Sequence, residues 1–303
     1  MAKLIPLLLG AALLGGAAFW VVTEPSEVEG YRFKIADADA TRGEAVYLAA
    51  GCGSCHAAPG AQGEAKRVLS GGQRFETPYG TFIAPNISPH PTEGIGSWGV
   101  MDLANAVMKG VSPQGEHYYP AFPWDSYAGM TPRDLVDLDA YLRSLPVSDT
   151  PSQKHELFLP LHFRRGIGLW KFAFARKGAP VLAAADFSVS ELRGRYLVEV
   201  LGHCSECHTP RNSLTGAPDM SRYLQGGPDL SGKGRVPDIT GPGLGWTASE
   251  VAEFLSSGMT PEYDSVGGHM ALVVDNYAKL PEADRKAVAD YLQKVPGPKA
   301  ATP

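Results

Sequence analysis

Two pentapeptides hold every cysteine in the chain. Cys52-Gly53-Ser54-Cys55-His56 and Cys204-Ser205-Glu206-Cys207-His208 each set two thiols three positions apart with a histidine directly behind the second, and the 303-residue sequence has four cysteines in all. Cys-x-x-Cys alone would serve a disulfide, thiol exchange or zinc. A histidine immediately after the second cysteine, twice, is explained by none of these. It is explained by covalent c-type haem, whose vinyl groups take up the two thiols as thioethers while the adjacent imidazole becomes the proximal ligand of the iron. One turn of helix brings the three side chains to one side of a porphyrin. Cys52, Cys55, Cys204 and Cys207 are therefore the candidate attachment points, and His56 and His208 the candidate iron ligands.

The elements around these motifs repeat. Cys52 to Pro85 and Cys204 to Pro237 are both 33 residues, and the prolines open "PNIS" and "PDIT". Glycine-rich turns ending in Trp98 and Trp246 follow, and 12 residues later come Gly110 and Gly258. The stretches "GVMDLANAVMKG" and "TASEVAEFLSSG" between them read as amphipathic helices with a glycine C-cap. Each half then closes with a helix, "TPRDLVDLDAYLRSLP" and "PEADRKAVADYLQKVP". Thr131 is its N-cap in the first half, with Pro132 at the first helical position and Asp134 three residues after the cap. Leu138, Tyr141 and Leu142 make an apolar stripe matched by Val288, Tyr291 and Leu292. Two copies of one small helical unit result. With 35 glycines and 25 prolines, turns, short helices and little regular sheet are expected.

A net charge of -5 leaves no basic excess for binding nucleic acid. Leu4 to Val22 is a 19-residue uncharged run behind Lys3, with Glu24, Glu27 and Glu29 beyond it. It is long enough to span a bilayer, and the flanking charges put its start in the cytoplasm. A cleaved signal ending near Gly16-Ala17-Ala18 is the other reading. Both export the rest of the chain to a periplasm, and the retained anchor is the expectation.

The stretches "APNISPHPTEGIGSW", "YYPAFPWDSYAGMTPRDL", "CHTPRN" and "GGHMALVV" resemble the cytochrome c subunits of bacterial membrane-bound alcohol and sugar dehydrogenases, over about residues 37 to 296. Those subunits usually carry three haem motifs, whereas this chain carries two. The resemblance implies an all-α fold of tandem class I cytochrome c domains behind a transmembrane anchor. The divisions expected are 1–36 for the anchor or signal segment and linker, 37–149 for the first domain, 150–185 for a linker, and 186–303 for the second. Two covalently bound haem c groups follow. In such domains a methionine between the middle and closing helices is the sixth iron ligand, which points to Met270 in the second half. In the first, Phe122 stands where relatives often keep a methionine, and Met130 is the candidate, with His117 or an open iron as alternatives.

Smaller readings attach to the surroundings. Arg211 is a candidate partner for a haem propionate, an exposed surface arginine being the alternative, and Trp98 and Trp246 are candidates to pack on the porphyrins or donate to a propionate, simple core packing being the alternative. In "LHFRRGIGLWKFAFARKG", Phe163, Ile167, Trp170 and Phe174 recur at helical spacing among basic residues. That segment is expected to be a linker helix packed on both halves, the alternative being a basic face for a membrane or an acidic partner. His90, His155, His162, His203 and His269 are taken as surface or structural.

The functional expectation is a carrier on the periplasmic side of the inner membrane. It would pass single electrons from a dehydrogenase to another cytochrome or a terminal oxidase. A di-haem peroxidase with one open iron is the alternative. Denatured protein should keep its haem colour on a gel and carry the mass of two haems, and replacing Cys204 and Cys207 together with alanine should halve that load. A wild-type mass with no added haem would remove the basis of the reading.

Overall fold

The structure is a computed structural model describing residues 4–29, 33, 35–229 and 234–298. Lys3 lies outside the described residues. The expected helices form, with short strands that the sequence did not announce.

α1 (Leu4–Val22) is the apolar run, with nearly all of its side chains exposed. α2 (Ala40–Ala50) starts at Asp39, whose carboxylate accepts from Thr41 N and Arg42 N and caps two of the helix's free amides. Gly51, with φ 65°, ends α2. α3 (Cys52–His56) follows at once. β1 (Arg74–Thr77) and β2 (Gly80–Ile83) form a hairpin that β3 (Glu156–Leu157) extends antiparallel. α4 (Val100–Ala104) runs into a π turn, Asn105–Lys109, and stops at Gly110, φ 58°. α5 (Trp124–Tyr127) precedes the closing helix α6 (Pro132–Ser144), and Thr131 Oγ1 caps α6 by accepting from Asp134 N at 3.1 Å. The chain then passes through α7 (Arg165–Phe174).

α8 (Val189–Tyr196) is opened by a capping box between Ser188 and Glu191 and continues as a π turn, Leu197–Leu201. α9 (Ser205–His208), a two-stranded ribbon of β4 (Gly227–Pro228) with β5 (Arg235–Val236), and α10 (Gly241–Leu244) come next. α11 (Ala248–Ser257) has the Thr247–Glu250 capping box and ends at Gly258, φ 75°. α12 (Gly268–Tyr277) lies in a stretch for which no helix was expected, and α13 (Glu282–Lys294) is the closing helix of the second half.

α2 packs across α6, and α8 across α13. Both crossings are backbone to backbone. A Cβ built on Gly43 would lie 2.0 Å from Asp137 O and 2.9 Å from Tyr141 Cβ; one on Gly194 would lie 1.8 Å from Ala287 O and 2.8 Å from Tyr291 Cβ. Only glycine fits between these helices. Asp137, buried in α6, is satisfied by Asp39 N, Arg42 Nε and Arg42 Nη2 at 2.7–2.8 Å, which fixes the start of α2 to the same helix. Tyr141 and Tyr291 are both buried at these crossings. From Gly43 to Cys52 is 9 residues and from Gly194 to Cys204 is 10. The π turn at Leu197–Leu201 accommodates the extra residue without shifting the motif.

Gly43→Val and Gly194→Val should each force one helix pair apart, at a cost on the order of 1–3 kcal/mol or more. Thermal unfolding followed by far-UV circular dichroism checks this. Gly10→Val, on an open helix face with nothing within 4 Å of its Cβ, should leave the transition where it was.

Candidate functional site

Each motif emerges from the end of a helix whose crossing is already fixed. In the first half Gly51 takes the left-handed conformation before Cys52. In the second that place belongs to His203, at φ 38°, an uncommon conformation for a residue with a Cβ. Its ring is held from the other half: Nε2 lies 3.4 Å from Ala50 O, and Tyr127 meets it edge-on at 5.4 Å.

The two histidines have one environment. Nδ1 of His56 is 2.9 Å from Pro85 O, and Nδ1 of His208 is 2.9 Å from Pro237 O. A carbonyl only accepts, so Nδ1 carries the proton and Nε2 is left with the lone pair, the arrangement that orients a ligating imidazole. Burial lowers the pKa of both rings, partly opposed by those carbonyl bonds, and so favours the neutral form that binds metal. Gly71 N–H donates to His56 O and Gly226 N–H to His208 O, both at 2.7 Å. These two glycines make the carbonyl contact possible. A Cβ on Gly71 would lie 2.5 Å from Pro85 C, and one on Gly226 2.5 Å from Pro237 C; their φ values are 74° and 67°.

All four cysteines are free thiols. Burial pushes Cys52 and Cys204 up to about 12 and Cys55 to about 11, and raises Cys207 as well. Burial is the main cause for Cys55, with a smaller contribution from Cys207. Among the described residues no three His, Cys, Asp or Glu side chains converge as a metal cage, which leaves the four-cysteine zinc reading without a site. Tyr277 Oη is buried without a hydrogen-bond partner, and a Cβ on Gly202 would touch it at 2.4 Å and Cys204 Sγ at 3.5 Å. Free thiols, neutral imidazoles aimed by backbone carbonyls and an orphaned buried hydroxyl beside a thiol all fit covalently held haem.

Each motif is touched from the other half. Asn276 Nδ2 donates to Ser54 Oγ at 3.0 Å, and Ser126 Oγ lies 3.5 Å from Glu206 Oε1. Ser126 corresponds to Asn276, and Ser54 to Glu206, so each contact has a counterpart with the halves exchanged. Lys66 and Asp275 add a salt bridge at 2.8 Å, and Tyr127 Oη donates to Ala50 O at 2.8 Å.

The methionines differ. Met270 is half-buried in the first turn of α12, against the core. Met130 is buried directly before α6, its amide bonded to Tyr127 O at 2.8 Å. Leu280 repeats that turn in the second half, also buried, with its amide bonded to Tyr277 O at 3.1 Å. Met130 is therefore matched by Leu280, and Met270 by no methionine of the first half. His117 is buried with Nε2 2.9 Å from Thr23 O, at the end of α1. Arg211 is engaged by the Glu206 carboxylate and by Gly216 O at 2.8 Å. Trp98 and Trp246 pack on the core, and their carbonyls accept from Arg143 and Gln293 of the closing helices. Of the remaining histidines, His155 accepts from Ile83 N, His162 bonds Leu157 O, His90 accepts from Glu93 N, and His269 stacks on Phe75.

Sequence reasoning missed Gly71, Gly226 and Tyr277. The glycine pairs 71–72 and 226–227 are visible, but they lie 15 and 18 residues past their histidines. The fixed-spacing repeat therefore passes over them.

Comparison with known proteins bears on the same residues. The profile of the cytochrome c family matches residues 40–146. A diheme cytochrome c-type protein of Cereibacter sphaeroides is 50% identical over 288 residues, covering 95% of this chain and 96% of its own length. The cytochrome subunit of fructose dehydrogenase from Gluconobacter japonicus is 35% identical over 90% of this chain and 55% of its own. The cytochrome c subunit of gluconate 2-dehydrogenase from Pantoea cypripedii is 34% identical over 86% and 60%. The chain thus spans little more than half the length of these two dehydrogenase subunits.

Gly71→Ala should displace the Pro85 carbonyl from His56 and disturb the first site alone, and Gly226→Ala should do the same to His208 and the second. A spectroelectrochemical titration reads this as one of two reduction steps moving while the other stays. Simultaneous movement of both steps in either variant would show that the glycines do not act locally.

Proposed function

The chain belongs to the cytochrome c family, and from that premise we propose a membrane-anchored carrier whose two tandem cytochrome c domains lie on the periplasmic side of the inner membrane. It carries two covalently bound haem c groups and transfers electrons. The domains are 37–149 and 186–303, joined by 150–185. Cys52 and Cys55 attach the first haem and Cys204 and Cys207 the second, with His56 and His208 as proximal ligands. Met270 is the sixth ligand of the second site and Met130 that of the first.

The observation that carries this reading is the pair of matched attachment turns, each with free thiols and a carbonyl-held imidazole, set against each other across one interface. Bound haem supplies reversible one-electron exchange at iron. The protein's own part is mechanical and electrostatic. The Pro85 and Pro237 carbonyls hold the proton on Nδ1 and keep Nε2 aimed. The helix crossings and the interface hold both turns in place, and Met130 and Met270 would hold the iron's remaining position and leave no place on it for a substrate. The fructose and gluconate dehydrogenase relatives support a dehydrogenase as electron donor. Another cytochrome or a terminal oxidase is the acceptor.

The match between Met130 and Leu280 favours a second reading for the first site. There Met130 is packing, the iron is open, and the protein is a peroxidase-like enzyme. Carbon monoxide separates the two. On the carrier reading, reduced wild-type protein should bind none, while Met270→Ala and Met130→Ala should each bind one molecule per chain and lower the potential of one haem. Uptake of one molecule by the wild type, unchanged in Met130→Ala, would establish the open first site.

A further inference from the structure

The expected inward stripe of the linker helix is divided. Ile167 and Trp170 do face the protein, but Phe163 and Phe174 are exposed. The basic residues are turned inward instead. Lys171 donates to Lys109 O and Gly110 O at 2.7 Å and lies 4.3 Å from the Trp124 ring, and Arg164 stacks over Tyr119 at 4.2 Å. The outer face of α7 presents Leu169, Phe172 and Ala173, at helical steps of three and four and with no charge among them, and Phe163 is exposed in the turn just before the helix. Phe172 is 65% exposed, and the turn before the helix adds Leu159 at 83% and Phe158 at 64%. A continuous apolar surface of this kind is normally covered.

Its starting point identifies the cover. Phe163 stacks on Phe19, in the last turn of α1, with ring centroids 6.1 Å apart and planes 15° apart. Arg165 donates to Trp20 O at 2.6 Å and to Thr23 Oγ1 at 2.9 Å, with its guanidinium 4.3 Å from the Trp20 ring. Tryptophan and arginine at the end of an apolar helix are the pair expected at a membrane boundary. α7 therefore begins level with the last turn of a helix about 28 Å long, close to the thickness of a bilayer core. We propose that the outer face of α7, with the Phe158–Leu159 turn, lies in the interfacial layer of the membrane, so that the protein rests on the lipid surface as well as being anchored through it. The proposal rests on α1 being a retained span.

The test uses the full, haem-loaded chain in vesicles of phosphatidylcholine and phosphatidylglycerol. The native cysteines are consumed as thioethers, so a cysteine introduced at Leu169 or Phe172 takes a nitroxide alone. Val189 and Tyr263, each 86% exposed, are the control positions. Power saturation should show oxygen, which concentrates in lipid, as the stronger relaxant at 169 and 172, and a water-soluble nickel complex as the stronger at 189 and 263. Nickel prevailing at 169 and 172 in protein that still floats with the vesicles overturns the proposal and leaves the anchor standing. Exclusion of both reagents there would show a protein partner on the face and likewise overturn it. Failure of the protein to float would remove the anchor and the proposal together.

Discussion

Two glycines set the geometry on which the molecule depends. At Gly43 and Gly194 one helix touches the backbone of another with no side chain between them, and in each case the motif begins at the end of the helix so held. Glycine is a poor helix former, costing about 1 kcal/mol against alanine. The loss is offset because the close approach lets Tyr141 and Tyr291 pack at the crossing. The crossing thus fixes where each short attachment turn begins.

The interface between the halves has the character of a symmetric dimer contact drawn within one chain. Asn276 with Ser54 and Ser126 with Glu206 are the same contact twice. A self-complementary arrangement brings equivalent residues together near its axis. The exception is informative. Gly51 takes the left-handed position freely, whereas His203 takes it at φ 38° while its ring contacts Ala50 and Tyr127. Contacts from the opposite half thus stabilise a backbone conformation that is costly in isolation.

Much of this was legible in the sequence, because the informative signals were local and repeated. Thr131, Gly110 and Gly258 cap helices as their positions foretold, and Pro85 and Pro237 are matched partners of the two histidines. The illegible parts are those where tertiary context decides. α12 opens with Gly267-Gly268, a poor helical start, and forms where α2 and α11 pack against it. The β1–β2 hairpin turns at Pro78-Tyr79 and gains its third strand only from residues 156–157. The correspondence of Met130 with Leu280 could not be read either, since it depends on which turn each residue closes.

The end of α1 bears on how such a carrier meets its partners. A helix end leaves carbonyls without intrahelical donors, and a cation there also complements the helix dipole. Here Thr23 Oγ1 donates to Phe19 O at 2.7 Å, Arg165 takes Trp20 O, and His117 takes Thr23 O. Thr23 is wholly buried, and Val28 N donates to Asn105 Oδ1 at 2.9 Å. The chain leaving the apolar helix is thus built into the first half and is not a free tether. A carrier on a long flexible linker can swing between donor and acceptor. With α1 as the span, a clamp of this kind would fix the first half relative to the bilayer, and partners would have to meet it there.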